Sequence, residues 1–355
     1  MAKVAAGLST KMREAFRLIK NGDLAGATAA IQGGLARAPD ARQTDSPLHA
    51  LFKGWSPHPV HTPAADEALP TGARFLEANY SDHAGSRRYK LYIPAGFDGG
   101  TWPLVVMLHG CKQSPDDFAL GTGMNRLAEQ HRFLVLYPAQ SQRANGSNCW
   151  NWFRASDQQR NRGEPAIIAG MTRHVIQTHA LDASRVYVAG LSAGGAMAVV
   201  MARTYPDIYA AAGVHSGLPY GIAHDVPSAF AAMEGRHQPH PRGAALKSEA
   251  RVPLIVFHGD SDKTVAPLNA SRVSAQSLAD AAGEAKTSTT SGDAGRPYTR
   301  KVMRDAAGTV LVEEWTVHGA GHAWFGGNPR GSYTDPRAPD ASGEMARFFL
   351  GIARK

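Results

Sequence analysis

Ser192 stands in Gly190-Leu191-Ser192-Ala193-Gly194, directly after the apolar run Arg185-Val186-Tyr187-Val188-Ala189 and directly before the small-residue run Gly195-Ala196-Met197-Ala198-Val199-Val200-Met201-Ala202. A serine on a sharp strand-to-helix turn sits in strained backbone geometry, and glycines on both sides let the neighbouring strand and helix approach it. Its hydroxyl is then presented at the carboxyl end of a sheet. The N–H of Ala193 falls at a helix N-terminus, where partial positive charge can stabilise an oxyanion. Similar glycine-rich turns also surround idle serines, but those need neither the strand before nor the helix after. The context therefore predicts a nucleophile for acyl transfer, which requires a base and an orienting acid elsewhere in the chain.

Val252-Pro253-Leu254-Ile255-Val256-Phe257 predicts a strand that runs into His258-Gly259-Asp260-Ser261-Asp262-Lys263-Thr264-Val265. A carboxylate at such a strand end can hold an imidazole by its Nδ1–H, and both Asp260 and Asp262 are candidates, the other serving to cap the turn. Leu311-Val312-Glu313-Glu314-Trp315-Thr316-Val317 alternates as a strand does and leads to His318-Gly319-Ala320-Gly321-His322-Ala323-Trp324. His322, farther out on a glycine-flexible loop, can fold toward Ser192 and is the predicted base; His318, at the strand end, is the predicted structural histidine. Serine, aspartate, histidine is the chain order of α/β-hydrolases. In the mechanism this implies, His322 takes the Ser192 proton during attack on a carbonyl and later returns one to the leaving alcohol. The second oxyanion donor is expected after Pro103-Leu104-Val105-Val106-Met107-Leu108, in His109-Gly110-Cys111-Lys112-Gln113, as the N–H of Cys111 with Gly110 beside it.

Holding three loops at one edge requires a sheet with covered faces. The chain has 355 residues, 43% of them hydrophobic and 19% charged, enough for a large core and one principal domain plus an extension. Strand patterns alternate with helical ones at Met124 to His131, Ile167 to Thr178 and Ser342 to Ile352, which predicts a mostly parallel α/β sheet flanked by helices. The catalytic domain is expected over residues 73–355. No histidine pair has the helical spacing of a metal site, and neither a metal nor an organic cofactor is expected.

The motifs His109-Gly110-Cys111-Lys112-Gln113, Cys149-Trp150-Asn151-Trp152-Phe153, Gly190 to Gly195, Ser216-Gly217-Leu218-Pro219-Tyr220, His258 to Asp262, Gly321-His322-Ala323-Trp324 and Gly331 to Pro336 together resemble the polyhydroxybutyrate (PHB) depolymerase family of esterases. That family is similar to feruloyl and acetylxylan esterases, and the likeness spans about residues 73 to 352. It implies the α/β-hydrolase fold, Asp262 as the acid and His322 as the base. It also implies a disulfide between Cys111 and Cys149, the two cysteines of the chain.

Residues 1–44 hold seven lysines and arginines against three acidic residues, a surplus of four that is half the formal net charge of +8. Met12, Phe16 and Ile19, then Leu24, Ala27, Ala30 and Ile31 around the Asn21-Gly22-Asp23 break, predict a basic helical hairpin. Such a hairpin can dock on the main domain or adhere to an apolar or anionic surface such as a polyester granule. Residues 45–72, rich in proline, read as a linker. The basic residues elsewhere are scattered without a nucleic-acid-binding motif, so no nucleic-acid partner is expected. Met1 to Gly7 lacks the apolar stretch of a signal peptide and no run has the length of a membrane span, so a cytoplasmic location is the expectation, one in which a stable disulfide is less favoured.

Trp150, Trp152, Phe153, Trp324, Phe325 and Tyr333 fall in loops predicted to lie near Ser192 and are expected to line an apolar ester cleft, with Trp324 foremost because it follows His322 so closely; core packing is the alternative use of such rings. The short stretch after the last helix is read as leaving no room for the polymer-binding domain that secreted depolymerases of the family carry. The expected substrate is therefore intracellular poly(3-hydroxybutyrate) or its oligomers. A feruloyl or acetyl-polysaccharide esterase is the alternative within enzymes, and a granule-associated protein with a vestigial hydrolase domain the alternative outside them.

Overall fold

A computed structural model describes residues 69–237, 251–279 and 285–354. The predicted hairpin at 1–44 and nearly all of the predicted linker lie outside the described residues. Within them the core is a ten-stranded sheet. Its strands are β1 (Arg74–Asp82), β2 (Gly85–Ile93), β3 (Leu104–Leu108), β4 (Leu134–Pro138), β5 (Val186–Leu191), β6 (Ala211–His215), β7 (Leu254–Gly259), β8 (Lys286–Asp293), β9 (Pro297–Arg304) and β10 (Val310–Val317), in the order β1-β2-β4-β3-β5-β6-β7-β10-β9-β8. The six strands from β4 to β10 run parallel, and antiparallel hairpins close both edges.

The central strands β3 to β7 are buried along their whole length, because helices cover both faces, as parallel sheets require. The period of two then sorts their side chains. Leu104, Val106 and Leu108 of β3 and Val186 and Val188 of β5 face the layer made by α3 (Gly163–His179) and α4 (Ala193–Thr204). Val105, Met107, Tyr187, Ala189 and Leu191 face the layer of α1 (Pro115–Thr122), α2 (Met124–His131) and α7 (Ala341–Leu350). Helices α5 (Val226–Met233) and α6 (Leu268–Ala279) complete the first layer.

The chain leaves β3 toward one face and edge and leaves β5 toward the other, so the strand order reverses between β3 and β5. In open α/β sheets the crevice outside the carboxyl ends of the strands at such a reversal is where ligands bind. The loops after β3 and β5 meet there, and those after β6, β7 and β10 follow in sequence along the same edge.

Candidate active site

Ser192 joins β5 to α4 with φ 57° and ψ −117°, a left-handed conformation that a side-chain-bearing residue adopts only under strain, at about 1–3 kcal/mol. Two close approaches fix it. A Cβ on Gly190 would lie 2.6 Å from the Leu108 carbonyl oxygen and one on Gly194 would overlap that same atom, so both positions require glycine. The Ser192 N–H donates to the His215 carbonyl of β6 at 2.9 Å, which ties the turn to the neighbouring strand end. No hydrogen bond engages the N–H of Ala193 or of Cys111 among the described residues.

Asp262 follows β7 with its carboxylate buried. Oδ1 accepts the N–H groups of Thr264 and Val265 at 2.8 and 2.9 Å, and Oδ2 accepts Nδ1–H of His322 at 2.7 Å. Burial opposes ionisation of this carboxyl, but hydrogen bonds from His258 and His322 and the fields of both rings outweigh it and hold its pKa well below the usual carboxylate range. An ionised Asp262 keeps the His322 proton on Nδ1, so the neutral ring carries its lone pair at Nε2, the form able to take a proton. The two loops touch through their backbones: Ser261 N–H donates to Ala320 O at 3.1 Å, and a Cβ on Gly259 would overlap that oxygen.

The competing residues form a pair of their own. Asp260 Oδ2 accepts from His318 Nδ1 at 2.9 Å and Oδ1 from Gly319 N–H at 2.7 Å, while His318 Nε2 meets Thr299 Oγ1 at 2.9 Å. Both side chains are about two-fifths exposed. This outer clip joins the strand ends of β7, β9 and β10, whereas the Asp262–His322 pair is the inner, dry one.

After β3, Gly110 N–H is taken by Gln113 Oε1 at 2.9 Å, and Gln113 Nε2 donates to Asp117 and Ser332. His109 donates from Nδ1 to Gly110 O and accepts Gln140 N–H at Nε2, and burial brings its pKa down to about 4. Cys111 and Cys149 form a disulfide. The segment from Gln140 to Asn151 is held by buried Glu164, which accepts from the Asn151 N–H, the Asn151 side chain, Gln140 and Arg87. Sequence reasoning missed Gln113, Asp117, Glu164 and His215. The signals the sequence offers are the place of Gln113 in the His109–Gln113 motif and of Glu164 at the head of an apolar helical stretch.

The aromatic rings are mostly structural. Trp150, Trp152, Phe153, Trp324 and Phe325 are buried. Trp324 stands on edge against Phe118, stacks on His215, and donates its Nε1–H to Ser342 Oγ at the start of α7. It is a pillar under the His322 loop, with no face left for a cleft; Trp150 packs beside the His109 ring. Of the expected cleft residues, half-buried Tyr333 remains at the surface. His215 links the parts: its carbonyl holds Ser192, its Nε2 accepts Phe325 N–H at 3.2 Å, and burial with the fields of His258 and His322 keeps its pKa well below the ordinary value. Among the described residues no cluster of His, Cys, Asp and Glu is placed to hold a metal ion, and no helix is long and apolar enough to cross a membrane.

A doubly covered parallel sheet with a strained serine between β5 and α4, at the reversal of strand order, defines an α/β-hydrolase. Over residues 87–296 the chain matches the family described as esterase PHB depolymerase. It belongs to that family. It is 37% identical over 253 residues to poly(3-hydroxyalkanoate) depolymerase C of Paucimonas lemoignei, covering 69% of this chain and 60% of that protein. To poly(3-hydroxybutyrate) depolymerase of Ralstonia pickettii it is 30% identical over 290 residues, 76% of this chain and 58% of the relative. The match thus spans about three-fifths of each depolymerase. Feruloyl esterase B of Thermothelomyces thermophilus is 28% identical over 271 residues, 70% of this chain and 90% of that protein. In fold, an acetyl xylan esterase from Aspergillus awamori superposes with a TM-score of 0.58 at 21% identity, over 70% of this chain and 93% of its own.

Proposed function

We propose that the protein is a serine esterase that cleaves poly(3-hydroxybutyrate) or its oligomers through Ser192, His322 and Asp262. The observation that carries the catalytic part is the buried Asp262, its oxygens committed to two backbone amides and to His322 Nδ1, on the same sheet edge as the strained Ser192 turn. His322 Nε2 takes the Ser192 proton as Oγ adds to the ester carbonyl. The N–H groups of Ala193 and Cys111, which straddle the strand reversal, receive the oxyanion. The alkoxide leaves with the proton from His322, and water then repeats the sequence on the acyl-serine. The substrate part is supported by the two depolymerases among its relatives, and the positive surplus in residues 1–44 supports contact with a granule surface.

A second reading, an esterase of feruloylated or acetylated plant polysaccharide, is favoured by the feruloyl esterase match, which extends over 90% of that protein. Hydrolysis of 3-hydroxybutyrate trimer, methyl ferulate and p-nitrophenyl acetate by wild type and Ser192→Ala separates the two. Preference for the trimer, lost in the variant, is expected. Preference for ferulate with the trimer untouched keeps the triad and moves the substrate; an active Ser192→Ala protein removes the triad.

A further inference from the structure

His258 is a second imidazole against the acid. It closes β7, is 2% exposed, and directs Nε2 at the Val265 carbonyl, 2.9 Å away. A carbonyl only accepts, so Nε2 carries hydrogen. The same nitrogen lies 3.4 Å from Asp262 Oδ2, the oxygen that holds His322. Nδ1 is buried with no partner among the described residues, so the ring makes its polar contacts through Nε2. Val265 is engaged at both ends: its carbonyl accepts from His258 while its N–H donates to Asp262 Oδ1 at 2.9 Å.

We infer that His258 is a positioning residue for the acid-base pair, its Nε2–H both closing the turn that presents Asp262 and drawing charge from the oxygen that orients His322. This rests on the proposed triad. Apolar packing alone would not select a ring with one nitrogen unsatisfied, since a buried unpartnered polar atom carries a desolvation cost. The titratable groups that act on one another here are Asp262, His258, His322 and, from β6, His215. With the His258 donor gone, Oδ2 keeps more charge, binds the Nδ1 proton of His322 more tightly and makes the protonated ring harder to discharge. The acid limb of kcat/KM, which reports the free enzyme's base, then moves to higher pH.

The test is the pH profile of p-nitrophenyl acetate hydrolysis for wild type, His258→Leu, His258→Gln and Ser192→Ala. His258→Leu is expected to shift the acid limb up by about half a pH unit and to lower kcat more than it changes KM. His258→Gln, whose amide nitrogen reaches the place of Nε2, should return the limb toward wild type; if the leucine variant does not fold, His258→Asn, too short to reach Val265 O, takes its place in the comparison. A folded His258→Leu or His258→Asn protein with a wild-type acid limb, beside an inactive Ser192→Ala, overturns the inference and leaves the triad standing. Retained activity in Ser192→Ala overturns the triad itself.

Discussion

Exchanging Asp262 for asparagine is the sharpest perturbation of the site because the structure determines which way the amide must turn. Oδ1 accepts two backbone N–H groups, from Thr264 and Val265, so the asparagine carbonyl stays there and its NH2 takes the place of Oδ2. That NH2 then faces His322 Nδ1, now a donor where an acceptor stood at 2.7 Å. The ring can meet it only by carrying its proton on Nε2, the tautomer that cannot take a proton from Ser192. In the serine-protease template the same exchange lowers kcat by about 10⁴, or roughly 5.4 kcal/mol at 1.36 kcal/mol per tenfold. Asp260→Asn disturbs a pair whose side chains are about two-fifths exposed, where a contact contributes at most about 1 kcal/mol, so activity should fall no more than about fivefold. Steady-state hydrolysis of p-nitrophenyl acetate by the two variants, with circular dichroism to establish folding, measures both. Asp262→Asn within tenfold of wild type, or Asp260→Asn the more damaged of the two, would refute the assignment of acid and base.

Ser192→Ala should abolish labelling by a fluorophosphonate and lower turnover by several orders of magnitude without loss of fold, since triad members act as a unit. Reducing the Cys111–Cys149 bridge, whose cysteines are 38 residues apart, removes a loop constraint of about 4 kcal/mol on the chain-entropy model and loosens the loop that carries the Cys111 N–H, so Tm and kcat should fall together under dithiothreitol. Glu164→Gln should cost about 3 kcal/mol in denaturant unfolding, because the groups around both carboxylate oxygens are donors and the new NH2 finds no acceptor. The depressed pKa of Asp262 lies below its unfolded value, so its stabilisation is fully present above the ordinary aspartate range and is lost as pH falls through that range toward the folded value; acid titration of Tm should be shallower in Asp262→Asn.

The fold and the places of the candidate groups were legible because they are written in short-range patterns. Val186–Leu191, Leu254–Gly259 and Val310–Val317 stand as strands where apolar runs met glycine-rich ends, and Gly190 and Gly194 announce an approach of backbone to backbone that no other residue allows. The β8–β9 hairpin was not foreseen. Its first strand, Lys-Thr-Ser-Thr-Thr-Ser-Gly-Asp, is exposed over nearly its whole length and has no apolar alternation to read. The choice between Asp260 and Asp262, and the use of the tryptophans, depend on something local pattern does not encode, namely which side of a loop meets the core.

Asp260 and Asp262, two positions apart, each found a histidine, and His318 and His322 on the opposite loop each found an aspartate. What separates the pairs is depth. Asp262 ends at the dry floor, with amides on one oxygen and imidazole on the other, while Asp260 ends among solvent and strand ends. The acid of the proposed mechanism has to stay charged and immobile while its histidine changes charge, and of the two aspartates only Asp262 is held by its donors away from solvent. The outer pair keeps the two loops in register, the inner pair can then be buried without drifting apart, and Trp324, lodged between Phe118, His215 and Ser342, anchors the chain just beyond His322. Of the rings expected to bind substrate, Trp324 is thus packed beneath the loop of His322, the base of the proposed mechanism, and would serve that chemistry by positioning.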